Sequence, residues 1–475
     1  MKWFTSIVTL IMIVGCTPIS EELPSLGVVD EGNRQIIDYI DKRLNEEYYW
    51  LDEVEEKSAS FNRTLHWKKY LDNSLRLLST NVDDGYINTK EERVFYSYIR
   101  DINDTRTTVS GFGIGLYYTI IAVGEDRLGF VINNVYADSP AAKADIRRGD
   151  IIRSINGSEI DRNNYASLFT TIENNSASEL HLVLERQTAT NANEASFVAT
   201  LQRGTYSTTP IAYHDVITIK NSDKRIGYLV YTGFQTEYDD ELLAALGKLA
   251  AEGVDSFILD LRTNGGGNVD SAVKLCSALL STEHIGATLC ELRRNPRSLA
   301  TYGNSICALE EVGVNLNMKE LTVICSDYSA SASELLITGL RGLDITVTLI
   351  GSTTEGKNCG MDVTRRTIND IYLEYAPITF MCYNAKGFGE WGEGLVPDID
   401  LTTKNAMGIS DEHYPLPRAA WGDMSYDIGL ATAVASVTGK KVSTASIATT
   451  RQGTTIAPAI KMQRAIEGIR YYPEE

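Results

Sequence analysis

The 475-residue chain carries 63 acidic against 44 basic side chains, a net charge of −19, and 43% of its residues are hydrophobic. That length calls for about three domains, and the apolar share is that of a folded globular protein rather than a disordered one. The acidic balance, with no basic cluster, excludes nucleic acid as a partner, because a phosphate backbone is held by clustered Lys and Arg.

Lys2 is followed by an apolar run from Ile7 to Val14, too short to span a bilayer, and then by Gly15 and Cys16. Residues 1–15 therefore read as a signal peptide. The string Ile13-Val14-Gly15-Cys16 resembles a bacterial lipobox. The resemblance implies that Cys16 is lipidated, becomes the first mature residue, and anchors an exported protein to the outer membrane of the cell envelope. An ordinary signal peptide with an incidental Cys is the alternative. Residues 16–30, with Pro18 and Pro24 and no periodic apolar pattern, read as a tether. The other cysteines, at 276, 290, 307, 325, 359 and 382, show no CxxC spacing; several read as free buried thiols, and pairing of some in an exported protein is the alternative. The five histidines are scattered without HExxH, so no metal site and no cofactor are expected.

From 31 to 108 the pattern is helical, with Ile36, Ile37, Ile40 and Leu44 on one face and Leu71, Leu75 and Leu78 on another. The period then changes over 109–205. Gly111-Phe112-Gly113-Ile114-Gly115-Leu116 is a Gly-punctuated loop leading into a strand. After it come Gly129 to Ile132, Ser139-Pro140-Ala141-Ala142, Arg148-Gly149-Asp150-Ile151-Ile152 and Ile155-Asn156-Gly157. These resemble a PDZ domain of the kind beside secreted processing peptidases. The resemblance implies peptide capture: backbone N–H groups at Gly113, Ile114, Gly115 and Leu116 hold a terminal carboxylate, and a strand edge takes the peptide by β-augmentation. A β-rich spacer is the alternative.

Over 206–402 strands and helices alternate: Ile226 to Tyr231, Asp239 to Gly253, Ser256 to Leu261, Val269 to Leu280, Leu321 to Cys325, Ser331 to Gly342, Thr346 to Ile350. Alternation of this kind predicts βαβ units and an α/β layer. The C-terminal extension, 403–475, holds one helix, Asp427 to Val437.

Three segments at strand ends carry reactive residue types. Asp260-Leu261-Arg262-Thr263-Asn264-Gly265-Gly266-Gly267 follows a buried strand, and its glycines leave N–H groups open for an oxyanion; Gly runs also make plain turns. Ser329-Ala330-Ser331-Ala332-Ser333-Glu334 opens a helix, where unpaired N–H groups and the dipole favour negative charge. Ser331-x-x-Glu334 is equally a capping box. Lys357 lies between small residues in Gly351 to Gly360; alone it would be a surface lysine, but beside a Ser a desolvated lysine can serve as general base.

Together, "DLRxNxGG", "SASASE" and a "GK" some 26 positions beyond the central Ser resemble the C-terminal processing peptidases, serine peptidases with a Ser/Lys pair. The resemblance covers about 110–402, closing at Gly394-Leu395-Val396-Pro397-Asp398-Ile399. It implies a multidomain α/β protein: a helical N-terminal domain, a PDZ-like β-rich domain, and a peptidase core of the ClpP/crotonase-like type. It further implies Ser331 as nucleophile, Lys357 as base, and the N–H groups of Gly266 and Ala332 as oxyanion hole. The partner is then a protein or peptide substrate with a free C-terminus. Two positions depart from the pattern. Met361 stands where many relatives have a Gln that orients the lysine. Glu355 stands two residues before the lysine in place of an aromatic, where a carboxylate opposes lysine deprotonation. A peptide-binding lipoprotein without catalysis, and a crotonase-like acyl-CoA enzyme, are the rival readings.

Overall fold

The computed structural model describes residues 30–88, 91–102, 110–123, 126–173, 179–188, 191–403, 414–415, 417, 419–440 and 470–471. The signal segment, Cys16 and the tether lie outside the described residues.

Asp30 caps the first helix, Glu31–Glu47, its carboxylate accepting from the Gly32 N–H. Ile36, Ile37, Ile40 and Leu44 bury one stripe of it, and helices Leu51–Lys57 and Trp67–Leu75 pack alongside. The helical pattern expected to 108 stops sooner. Short strands follow, and Tyr98–Asp101 pairs antiparallel with Ile371–Ala376 of the peptidase region. Three short helices have too little surface to enclose a core. Their stripe is completed from the other region: Ile40, Leu44 and Tyr70 share one apolar cluster with Cys359, Met361, Leu373 and Tyr375.

The next body is an antiparallel sheet in the spatial order Asn191–Gln202, Glu179–Thr188, Ile151–Ile155, Leu128–Val135, Leu116–Ala122. Asn191–Gln202 forms one edge of this sheet and Leu116–Ala122 the other. Helix Tyr165–Glu173 covers the core beside it, with Leu168 and Ile172 inward and the Phe169 ring 5.7 Å from that of Tyr118 on the edge strand. Ser139 accepts from the Ala142 N–H at 3.1 Å, and Pro140 occupies the first turn of helix Pro140–Lys143, where its missing N–H costs nothing.

The peptidase region is a sheet in the order Ile211–Thr218, Arg225–Tyr231, Ser256–Asp260, Glu320–Cys325, Thr346–Gly351, Ile399–Asp400, parallel from the second strand onward. Both faces are buried, which is why its strands read as unbroken apolar runs. Leu229, Phe257 and Leu259 join helices Asp239–Ala251, Val269–Leu279 and Ala332–Gly342 on one face. Tyr228, Val230 and Ile258 meet Leu430, Ala433 and Val434 on the other. The helix expected in the C-terminal extension is present as Ile428–Thr438 and covers that second face. A separate sheet built on Thr288–Arg294 and Phe380–Asn384 was not evident from the pattern.

Candidate active site

Ser331 sits between strand Glu320–Cys325 and helix Ala332–Gly342 with φ +62° and ψ −116°, a conformation that non-glycine residues rarely adopt. Such a strand–turn–helix elbow presents a side chain on a sharp bend. The Ser331 Oγ is buried and, among the described residues, makes no hydrogen bond. Its N–H donates to Glu334 Oε2 at 2.8 Å. Capping thus accounts for the glutamate but leaves the hydroxyl uncommitted.

Gly266 lies directly on this turn. A Cβ there would stand 2.7 Å from the Ser331 Cβ, and its φ is +107°, so glycine is required twice over. Its N–H, an expected oxyanion donor, donates to Asn264 Oδ1 at 2.8 Å, while Asn264 Nδ2 donates to the Tyr231 carbonyl at 2.9 Å. That donor is therefore engaged in this conformation. Ala332 is the first residue of its helix, where an N–H has no intrahelical acceptor.

Glu334, read from sequence only as a cap, is the hinge of the site. Its Oε2 accepts from the N–H groups of Ser331 at 2.8 Å and Lys357 at 2.9 Å. Its Oε1 accepts from the Thr354 hydroxyl at 2.5 Å and the Gly356 N–H at 2.7 Å. One carboxylate thus ties the serine turn to the lysine loop. Burial pushes its pKa up to about 7, against the pull of Thr354 and the backbone donors of Gly356, Ser331 and Lys357.

Lys357 is 3% exposed. Its Nζ stands 4.3 Å from the centroid of the Tyr96 ring, and the Tyr96 hydroxyl donates to Glu355 Oε1 at 3.3 Å. Tyr96 comes from the N-terminal region and had no sequence signal. Met361 is fully buried in the apolar cluster that the N-terminal helices share with this loop.

The expected peptide-binding residues form the entry to the edge strand. Ser110–Gly113 is itself a strand paired with Gly204–Ser207. The Ile114 side chain is buried in the core, and its carbonyl accepts from the Ala141 N–H at 3.0 Å. Gly115 has φ +78°, and a Cβ would fall 2.1 Å from the Ser139 Cβ. Leu116 then opens the edge strand.

A charged network joins the bodies. Arg262 is buried against Asp260 and Asp427, and Arg148 of the 109–205 body reaches the Ala419 carbonyl at 2.7 Å. The Trp421 ring lies 3.7 Å from the Arg148 guanidinium and 5.4 Å from that of Arg262, and its Nε1–H donates to Asn134 Oδ1 at 3.0 Å.

Comparison with known proteins agrees with this architecture. Residues 131–186 match the PDZ domain, and residues 225–401 match peptidase family S41. A "Probable CtpA-like serine protease" of Staphylococcus aureus strain N315 is 22% identical over 417 residues, 86% of this chain and 72% of the relative. Its Staphylococcus epidermidis namesake is 23% identical over 415 residues, 86% and 72% of the two chains. A solved Bacteroides fragilis NCTC 9343 structure assigned to the S41 proteases superposes with a TM-score of 0.66 at 21% identity. It covers 84% of this chain and 97% of that one. The chain is a serine-type peptidase, a hydrolase carrying a PDZ domain. The match to peptidase family S41 lies over the region that holds Ser331 and Lys357.

Proposed function

We propose that the protein is an endopeptidase of exported proteins or peptides, with Ser331 as nucleophile and Lys357 as general base. The observation that carries the reading is the pairing by Glu334: a strained serine with an uncommitted Oγ and a buried lysine hang from one oxygen atom. Neutral Lys357 takes the Ser331 proton as Oγ attacks the scissile carbonyl. The resulting ammonium returns that proton to the leaving amine, and water hydrolyses the ester. The Ala332 N–H stabilises the oxyanion. Gly266 joins it when its N–H turns away from Asn264.

In the same reading, the turn at Gly113–Leu116 and the edge strand hold the substrate's C-terminus. Cys16 carries the lipid anchor, which keeps the enzyme in the cell envelope. A fluorophosphonate probe tests the core of this reading. It should label wild type, and labelling should disappear in Ser331→Ala and fall by orders of magnitude in Lys357→Ala. Unchanged labelling of Lys357→Ala would remove the lysine from the mechanism.

A further inference from the structure

We propose that Tyr96, brought in by the N-terminal region, is a positioning residue for Lys357: its ring walls the slot that keeps the amine away from water. The proposal rests on the reading of Lys357 as the base. The amine lies against the face of this ring, 4.3 Å from its centroid, and the lysine is almost wholly covered.

The ring is itself held from several sides. The Tyr96 N–H donates to Asp84 Oδ1 at 3.1 Å. That buried carboxylate also takes the Ser97 N–H at 2.9 Å and the Tyr48 hydroxyl at 2.7 Å. The Tyr86 ring lies 6.0 Å away, and the phenol holds Glu355. A side chain needed only to fill space does not require its backbone and its hydroxyl to be pinned by two carboxylates. Met361, in the same apolar cluster, has only a weakly accepting thioether with which to orient an amine. The sequence's departures at 355 and 361 are thus both met by one tyrosine from a region whose sequence shows no chemistry.

The ring acts on the lysine in two opposed ways. Its face attracts an ammonium, and its bulk excludes the water that would solvate one. The other ionisable groups around Lys357 are Asp84, Glu334, Cys359 and Cys382, with Glu355 reaching it through Tyr96. Substitution at 96 leaves Asp84, Glu334, Cys359 and Cys382 in place, and the Phe, Leu and Ala variants all release Glu355 alike, so the direction in which the Leu and Ala profiles move relative to Phe reports which effect of the ring was removed.

The test measures phosphonylation of Ser331 by a fluorophosphonate, with loss of fluoride, from pH 6 to 11 in the full chain. Tyr96→Phe keeps the ring and should hold the wild-type profile within about twofold. Tyr96→Leu keeps the bulk but loses the face, and its basic limb should move down by about half a pH unit. Tyr96→Ala admits water, so its limb should move up by a unit or more, with phosphonylation near neutrality falling at least tenfold and recovering at high pH. A loss by the same factor at every pH in Tyr96→Ala, or profiles of Leu and Ala variants that overlay wild type, overturns the proposal. If Tyr96→Ala fails to fold, the Leu and Phe variants still decide the matter. Lys357→Ala is run in parallel. If it is active, the base reading has failed; if it is inactive while the Tyr96 profiles stay put, only the tyrosine's role has.

Discussion

Replacing Glu334 by Gln keeps its shape and fixes it in the neutral form, which separates the two things this carboxylate does. In the fold it ionises near 7, against 4.5 for an unhindered glutamate, because burial outweighs its four donors. The native state therefore binds this proton more tightly than the unfolded chain does. That contribution to stability is complete below pH 4.5 and is lost as pH rises to 7. At about 1.4 kcal/mol per pH unit, the loss is about 3 kcal/mol by pH 8. Gln has no proton to lose. The stability of Glu334→Gln relative to wild type should thus improve by about 3 kcal/mol between pH 4.5 and 8, read from denaturant unfolding at each pH. Catalysis should move the other way. A Gln carbonyl that keeps the Ser331 and Lys357 N–H groups turns its NH₂ toward Thr354 and Gly356. The Thr354 hydroxyl can accept from it, but the Gly356 N–H is orphaned next to the lysine. One orphaned donor costs about 1–3 kcal/mol, and a misaligned loop in that range lowers acylation roughly 10- to 100-fold at pH 8. The wild-type acid limb near pH 7 should vanish in the variant. A stability difference that does not change with pH, or wild-type acylation at pH 8, would refute the reasoning.

Cys16→Ala should abolish incorporation of labelled palmitate, and unchanged incorporation would end the lipoprotein reading. Peptides ending in a free carboxylate should bind Ser331→Ala protein at least tenfold more tightly than their amidated forms by calorimetry; equal affinities would exclude carboxylate capture by the PDZ turn. Trp421→Ala removes the ring between two arginines and the hydrogen bond to Asn134, which should cost about 2–3 kcal/mol. The readout is protease sensitivity at the junction of the 109–205 body and the core, and resistance equal to wild type would show that the ring is not what joins them.

What the sequence made legible follows from how local each signal is. Strands such as Ser256–Asp260, buried on both faces, announce themselves as apolar runs, and their lengths were read to within a residue or two. Ser331 and Lys357 stood out through motifs at fixed spacing. Tyr96 and Asp84 could not, because neither belongs to a local pattern and both reach the site only through packing of the N-terminal region on Met361, Leu373 and Tyr375. The boundary at 108 was hard to see for the same reason: strand Tyr98–Asp101 finds its partner more than 250 residues away. Glu334 was visible but underread. A capping box predicts one acceptor for the helix start, and only the fold brings Thr354, Gly356 and Lys357 to the same carboxylate.

The Asp-Leu-Arg motif shows how a functional signature divides between chemistry and support. Of its glycines Gly266 lies against the serine turn, whereas the charged side chains of Asp260 and Arg262 pair with each other. Arg262 is buried between Asp260 and Asp427, and Arg148 lies 3.6 Å from the same Asp427. Burial and the charge on Arg262 draw the Arg148 pKa down to about 10, which leaves it charged at neutral pH. Two arginines and two aspartates are therefore mutually compensated in the core, and removing any one strands an uncompensated charge, at a cost of about 3–5 kcal/mol. Hydrophobic residues of similar volume would hold the layers together as well. What they would not do is fix the approach angle of the segment between Arg262 and Gly267, whose Gly266 must meet Ser331 within tenths of an ångström while Asn264 holds the Gly266 N–H. The same network takes one arginine from the PDZ body and one from the active-site loop, with Trp421 of the C-terminal segment between them. The PDZ body and the loop that carries Gly266 are thus tied to the same charged cluster.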